Sequence, residues 1–411
     1  MNEHKAVPNI RFKGYEEGWR DKKTLELVSE RNSKIIPIDD YPLKAFIAKK
    51  GITEKGKKYN RSFLVKSRQK KYKKTEYGDL IYSSNNLEVG SIGINRYGNA
   101  CISPVYSIFK VNDSLSYDFL GYLIQRKEFI FNMVRYRQGV TYGQWKIHES
   151  DFLNIQVLVP ESIDEQQKIG DFFTRLDKLL DLQQQKIDKL ELLKKALLQK
   201  LFPKHDAKIP ELRFKGYDGE WEKEKLSKFG HTFSGLSGKT KKDFGHGKAK
   251  YITYMNVFKN PLTSKTELDD IEVDSKQHTV KYGDVLFTMS SETPDEVGMS
   301  SVWKYHLENI YLNSFSFGYR HSTKCDLNFL AFMFRSQVVR EQIKILAQGI
   351  SRYNISKNKM MDILAYFPTE SEQQKIGNLL SKVDQLIELE NKKLQNLQQV
   401  KKCLLQNMFV D

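Results

Sequence analysis

SIDEQQKIGDFFTRLDKLLDLQQQKIDKLELLKKALLQKLF, residues 162–202, is the stretch on which the fold turns. Ser162 and Glu165 form the S-x-x-E pattern of a capping box, in which a hydroxyl and a carboxylate satisfy amides that a helix start leaves without partners. From there Ile169, Phe173, Leu176, Leu180, Gln183, Ile187, Leu190, Lys194, Leu197 and Leu201 follow the alternating four- and three-residue spacing of a heptad core, and eight of the ten are apolar. A helix from about Glu165 to Phe202 would run roughly 57 Å at about 1.5 Å per residue, longer than a small domain is wide. Amphipathic helices more often pack on their own domain, so a helix this long needs a second partner.

The sequence contains one. EQQKIG at Glu165 recurs letter for letter at Glu372, behind a second capping box, Thr369-Glu370-Ser371-Glu372. Adding 207 to each seam position gives Ile376, Leu380, Val383, Ile387, Glu390, Leu394, Leu397, Lys401, Leu404 and Met408, with the polar interruptions at the same two places. Two equal seams in one chain most simply bury each other, and an intervening domain at Pro210–Phe367 allows them to lie antiparallel. The residues expected to pair the helices are Phe173, Leu176, Leu180, Ile187, Leu190 and Leu197 with Leu380, Val383, Ile387, Leu394, Leu397 and Leu404. Gln183, Glu390, Lys194 and Lys401 become polar core positions, which fix register at some cost in stability.

The repeat extends beyond the helices. PNIRFKGYEEGW at Pro8 returns as PELRFKGYDGEW at Pro210, YGDLIY at Tyr77 as YGDVLF at Tyr282, QGVT at Gln138 as QGIS at Gln348, and ALLQKLF at Ala196 is echoed by CLLQNMF at Cys403. Residues 20–76 and 222–281 show no such likeness. A repeated frame thus carries two different inserts. Tandem copies of one enzyme would repeat their catalytic residues most faithfully, whereas here the best-matched pieces are helical. The expected segments are a first domain at 1–160, a helix at 161–205, a second domain at 206–367 and a helix at 368–411.

The 411 residues suit two cores. With 39% hydrophobic and 29% charged residues the chain is globular. No apolar run approaches the roughly 18 residues that span a bilayer. The N-terminus lacks the apolar core of a secretory signal, and three scattered cysteines read as reduced, so a cytoplasmic location is expected. The formal charge of +16 suits a polyanionic partner. It is unevenly spread: from Lys44 to Lys74 thirteen basic residues face a single acid, Glu54. Lys66, Arg68, Lys70, Lys71, Lys73 and Lys74 are candidate DNA contacts on that ground.

Catalytic signals are weak. Gly235-Leu236-Ser237-Gly238-Lys239-Thr240 resembles the end of a P-loop, but Phe233 stands where the first glycine belongs. The Gly-Asp turns at Gly78 and Gly283 precede apolar strands and read as structural. No NPPF or NPPY tetrapeptide occurs, and the histidines and cysteines offer no zinc-like spacing. No catalytic, cofactor-binding or metal residue is therefore assigned. Two stretches combine cations, amides, hydroxyls and rings suited to phosphates and base edges. They supply Arg135, Arg137, Gln138, Thr141, Tyr142 and Gln144 in the first half, and Gln348, Ser351, Arg352, Tyr353 and Asn354 in the second. Lys239, Lys241 and Lys242 complete the candidate DNA set. The bland reading of each stretch is a Gly-containing turn whose rings belong to the core.

Taken together, the EQQKIG helix starts, the heptad helices ending in LLQKLF and LLQNMF, the P-x-[IL]-R-F-K-G-Y openings and the Gly-Asp turns resemble the type I restriction–modification specificity subunit family. That resemblance implies an α/β protein: two target recognition domains of mixed α/β fold joined by two long helices forming an antiparallel coiled coil, with an internal pseudo-two-fold repeat. It implies a non-catalytic subunit that binds double-stranded DNA at an asymmetric bipartite site. Two modification (methyltransferase) subunits would dock on it and supply the S-adenosylmethionine chemistry, and restriction subunits would join through the complex. A stand-alone two-headed DNA-binding adaptor, a diverged nuclease or methyltransferase, and a purely structural coiled coil remain the alternatives.

Overall fold

A computed structural model describes residues 6–54, 70–143, 145–204 and 207–410. The chain folds as two compact units, 1–184 with 393–411, and 185–392. Each long helix is divided between them.

In the first unit, β1 (Val28–Glu30), β2 (Leu80–Tyr82), β3 (Ile92–Ile94) and β4 (Ser107–Val111) form an antiparallel sheet in the order β1-β4-β2-β3. All three residues of β2 are buried, as a central strand covered on both faces requires. Against the sheet pack two short helices, α1 (Tyr117–Leu123) and α2 (Lys127–Val134). Ser116 starts α1 by accepting the Phe119 amide at 3.3 Å. A separate ladder joins Arg20–Lys23 to Gln156–Val159. Helix α3 then runs unbroken over Ile163–Lys200.

The second unit repeats this frame. Strands β5 (Gly230–Ser234), β6 (Val285–Thr288), β7 (Ser300–Val302) and β8 (Ser316–His321) pair in the order β5-β8-β6-β7, again antiparallel. Helices α4 (Leu327–Met333) and α5 (Gln337–Leu346) cover it, and α6 spans Glu370–Asn407, 38 residues like α3. The inserts fold differently. In the first unit Tyr72–Thr75 lies antiparallel between Lys34–Ile35 and Ala100–Ile102. In the second, the nine-residue strand Phe244–Ile252 is antiparallel to Leu268–Ile271 but parallel to Ile310–Leu312.

The heptad seam is the buried and half-buried stripe of both helices. Within the first unit Asp177 of α3 pairs with Lys401 of α6. Within the second, Lys186 pairs with Glu390, and Lys194 with Asp384 at 2.5 Å. Partner numbers rise on one helix as they fall on the other, so the pairing is antiparallel. Three of the four polar interruptions, Lys194, Glu390 and Lys401, make these ion pairs, and the fourth, Gln183, is buried. They fix the register that an all-apolar seam would leave free to slide.

Helix ends also complete the cores. Met408 and Phe409 pack with Trp19, Phe119, Ile169 and Phe173 in the first unit. Leu201 and Phe202 pack with Trp221, Phe329, Ile376 and Leu380 in the second. The echo of ALLQKLF in CLLQNMF thus reflects one docking role used twice.

Candidate nucleic-acid interface

The repeated motifs explain one another in three dimensions, and so show what is frame and what is left over for recognition. Arg11 of the first RFKGY donates two hydrogen bonds to the Glu165 carboxylate at 2.7 and 2.9 Å, and Trp19 approaches the same carboxylate at 3.4 Å. Arg213 of the second RFKGY meets Glu372 in the same way, at 2.8 and 2.8 Å. Both carboxylates are sealed from solvent, and the hydrogen bonds raise the pKa of each arginine. The capping-box reading needs adjusting here. Ser162 and Thr369 do accept the Glu165 and Glu372 amides, both at 3.4 Å, but each Glu side chain is held by an arginine from the chain's opening motif.

The other letters of EQQKIG are equally constrained. Gln166 donates to the Pro160 carbonyl and accepts the Ser116 amide, and Gln373 does the same with Pro368 and Asp326. A Cβ on Gly170 would lie 2.8 Å from the Phe119 amide, and one on Gly377 2.6 Å from the Phe329 amide, so only glycine lets each long helix approach its short neighbour. Ile169 and Ile376 enter the cores. The Gly-Asp turns are structural, as expected. Asp79 accepts the Glu76 amide at 2.7 Å and pairs with Arg31, while burial pushes its pKa up. Asp284 accepts the Lys281 amide and a two-pronged contact from Arg320.

The candidate DNA residues fall into distinct groups. Lys66, Arg68 and Gln144 lie outside the described residues. Lys70 and Lys71 are exposed, with Lys70 beside the Tyr72 ring. Lys73 is buried in the strand Tyr72–Thr75, which removes it from the exposed cations. Lys74 is engaged by Glu76 at 2.8 Å and lies over the Tyr41 ring at 4.3 Å. Place relative to the strand separates these four lysines, since Lys70 and Lys71 precede Tyr72–Thr75 while Lys73 and Lys74 lie within it, a distinction that a run of letters conceals.

Gln138 and Thr141 are exposed on a hairpin closed by mutual hydrogen bonds between Gln138 and Lys146, and Arg135 is exposed just before it at the end of α2. Arg137 makes a two-pronged contact to Glu88 at 2.5 and 2.9 Å and stacks over Trp145 at 4.5 Å, which holds the Glu88 pKa below the usual range. Tyr142 is exposed and donates to Asn86 at 2.9 Å. In the second unit Gln348 and Asn354 close the equivalent hairpin, leaving Ser351 and Arg352 exposed and Tyr353 half-buried. Lys241 and Lys242 are exposed, but Lys239 is tied to Asp274 at 2.8 Å, and that contact holds Asp274 at about 2. Each unit therefore presents one polar, cationic hairpin and some exposed lysines on its insert.

Sequence reasoning missed a second feature of the helices. In the first unit Leu179 and Leu182 are 43% and 53% exposed on α3; in the second, Leu386 and Leu389 are 47% and 61% exposed on α6. Adding 207 to the first pair gives the second. They lie off the heptad seam, and their repetition was the available signal. Among the described residues, no group of three or more His, Cys, Asp or Glu side chains is placed to hold a metal, and no helix is long and apolar enough to cross a membrane.

Known proteins share this organisation. The specificity subunit of the type I restriction enzyme MjaVIII of Methanocaldococcus jannaschii is 23% identical over 337 residues, 80% of this chain and 77% of that protein. The MjaIX specificity subunit of the same organism is 26% identical over 203 residues, 47% of this chain but only 44% of that protein. Among solved structures, the S subunit of a type I restriction-modification system from M. genitalium superposes over 98% of this chain and 99% of its own, with a TM-score of 0.59 at 14% identity. A chain from a study of complex assembly and conformational transition of the type I R-M system covers 96% of this chain and 98% of its own, with a TM-score of 0.55 at 14% identity. These two likenesses concern the fold. The family profile described as type I restriction modification DNA specificity domain matches twice, at residues 17–192 and 218–399, and with most of the sequence accounted for in this way the chain belongs to that family.

Proposed function

We propose that the chain is the non-catalytic reader of a bipartite DNA site, each unit recognising one half-site and the paired helices setting the distance between them. The observation that carries this reading is a frame repeated down to its Arg–Glu clamps around two inserts of different topology. Equal frames hold two readers in the same way, and unequal inserts give them different half-sites, so the site is asymmetric. The exposed cations supply sequence-independent attraction to phosphates, and the hairpin amides and hydroxyls suit base edges.

The same reading makes the chain a scaffold. Leu179 with Leu182 and Leu386 with Leu389 are equivalent apolar patches, one on each helix, and equivalent patches suit two copies of one partner. We assign them to two methyltransferase subunits, which would bring the S-adenosylmethionine; restriction subunits would join through that complex in the cytoplasm. No residue of this chain is given a cofactor or a chemical step.

Two measurements test the proposal. Co-expression with the candidate methyltransferase should give a complex that methylates DNA at an asymmetric split sequence, found by mapping methylated bases genome-wide. A contiguous or palindromic motif would refute the two-reader arrangement. Replacing Leu182 and Leu389 with Lys should remove the methyltransferase from the purified complex while leaving the chain folded. Retention of the partner would move the docking surface elsewhere, and purification of a wild-type chain that binds DNA with no methyltransferase would favour a stand-alone adaptor.

A further inference from the structure

Val140 and Ile350 are 92% and 96% exposed, more than any other large apolar side chain among the described residues. They occupy equivalent places, each directly after the glycine of QGVT or QGIS. Scattered exposed apolar residues are ordinary on protein surfaces. Two in the same position of a duplicated frame, both β-branched and both almost fully bare, form a pattern.

The hairpins that carry them are braced. Gln138 and Lys146 exchange backbone hydrogen bonds at 2.8 and 2.9 Å, as do Gln348 and Asn354 at 2.9 and 2.8 Å. Behind the first tip, Asn85 accepts the Gly143 amide at 3.0 Å and Ser84 accepts the Ile147 amide at 3.0 Å. Behind the second, Tyr353–Asn354 pairs with Ser290–Ser291, and the Ile355 amide donates to the Met289 carbonyl at 2.9 Å. Gly349 has a φ of +140°, and a Cβ there would lie 1.9 Å from the Arg352 carbonyl oxygen, so glycine is required for the chain to turn at that point. The apolar side chains are thus held out on supported backbone, and little ordering entropy remains to be lost when they make contact.

The surroundings identify the partner. Residues 129–148 and 342–361, twenty in each window, contain no Asp or Glu, although the chain has 51. Arg135 and Lys146 flank the first tip, and Arg352 and Lys357 the second. In space Glu88 joins the first window by pairing with Arg137, and the cations left around an apolar point suit nucleic acid, where phosphates meet the rim and bases meet the point. A valine or isoleucine has nothing to offer a phosphate; it wedges against a base step, a contact open to any sequence. What both units share cannot be what makes their half-sites differ.

We propose that Val140 and Ile350 are apolar probes that touch DNA bases at equivalent positions in the two halves, contributing affinity without discriminating between half-sites. The inference rests on the DNA-reading function argued above. It is tested with the full chain co-expressed with its methyltransferase and with duplexes enriched from a random-sequence pool by the wild-type complex. Val140→Ser and Ile350→Ser should each weaken binding about tenfold. The slope of affinity against salt should not change, because no phosphate contact is lost, and the enriched motif should stay the same. Val140→Ile should bind like the wild type. Wild-type affinity in the double Ser variant would overturn the inference, as would a changed motif. So would loss of the methyltransferase with DNA affinity intact, which would make the tips a protein contact. A wild-type complex lacking salt-dependent DNA affinity would overturn the DNA-reading function itself.

Discussion

The clamp between the opening motif and the long helix is open to a direct stability test at Arg213. Its guanidinium meets Glu372 through two hydrogen bonds at 2.8 Å, and the side chains are 14% and 0% exposed. Arg213→Ala leaves the carboxylate buried with no counter-charge, and breaking such a pair costs roughly 3–5 kcal/mol. Because Arg213 sits at the edge of solvent, water can reach the vacated space, and about 3 kcal/mol is the reasoned value. For a unit of this size each kcal/mol lowers Tm by about 2–4 °C, so the transition of the second unit should fall by roughly 6–12 °C. Calorimetry of the full chain measures it. Tryptophan fluorescence assigns the transition, because Trp221 and Trp303 belong to the second unit and Trp19 and Trp145 to the first. Adding Glu372→Gln to Arg213→Ala removes the buried charge and should restore part of the loss. Arg11→Ala should act on the first unit in the same way. Glu372 raises the arginine's pKa above its already high ordinary value, so the stabilisation is fully present below that value and is lost only as pH rises through the higher folded one. The Tm shift should therefore be constant between about pH 6 and 9. A shift below about 2 °C, or a double variant less stable than the single, would refute the clamp.

Other expectations follow from individual contacts. Asp274 is held at about 2 chiefly by its hydrogen bond from Lys239, so its contribution is present above the ordinary carboxylate value of 3.8 and is lost as pH falls through the folded value. Lys239→Ala should return Asp274 toward 3.8, which carboxyl NMR titration would show; an unmoved titration would mean that the neighbouring amides suffice. Charge reversal at exposed Lys70 and Lys71 should lower DNA affinity across many sequences and flatten its salt dependence with Tm unchanged, whereas Lys73→Glu, on a buried residue, should lower Tm; the opposite assignment would show that the strand faces the other way. A fragment ending near residue 204 lacks Met408 and Phe409 but carries their repeat equivalents, Leu201 and Phe202, and should dimerise to fill the core beside Trp19. Co-expressed with the methyltransferase, that dimer should direct modification to a palindromic split site. A monomeric fragment of wild-type stability would refute this exchange.

What was legible in the sequence was whatever had been written twice. Heptad spacing revealed the helices, and their equal length and matched interruptions at Gln183, Lys194, Glu390 and Lys401 revealed the seam, because burial at fixed spacing leaves a periodic trace. The Arg11–Glu165 clamp was visible only as two conserved-looking words within one chain, 154 residues apart; nothing local joins an arginine in an opening loop to a carboxylate at a helix start. Local pattern suggested the familiar capping box instead, and the structure uses only its hydroxyl half. The inserts were least legible. No spacing rule distinguished the antiparallel strand Tyr72–Thr75 from the partly parallel strand Phe244–Ile252, since pairing direction depends on distant partners.

The candidate site was harder to read than the fold for a related reason. A run of lysines gives total charge, but DNA responds to the charge that remains exposed and unpaired. The structure divides the candidates on that basis: Lys73 is buried, Lys74, Arg137 and Lys239 are tied to Glu76, Glu88 and Asp274, and Lys70, Lys71 and Arg352 are exposed. A tied cation still contributes to recognition if DNA displaces its carboxylate, but the exchange costs the ion pair and is favourable only where the phosphate or base edge fits better than the acid did. Arg137 is the clearest case, because Glu88 lies half-exposed while stacking on Trp145 holds the planar guanidinium in place. Pairing at that point makes contact conditional on a good fit, whereas the exposed lysines attract any duplex. Non-specific attraction and selective contact are thereby assigned to different residues of the same unit.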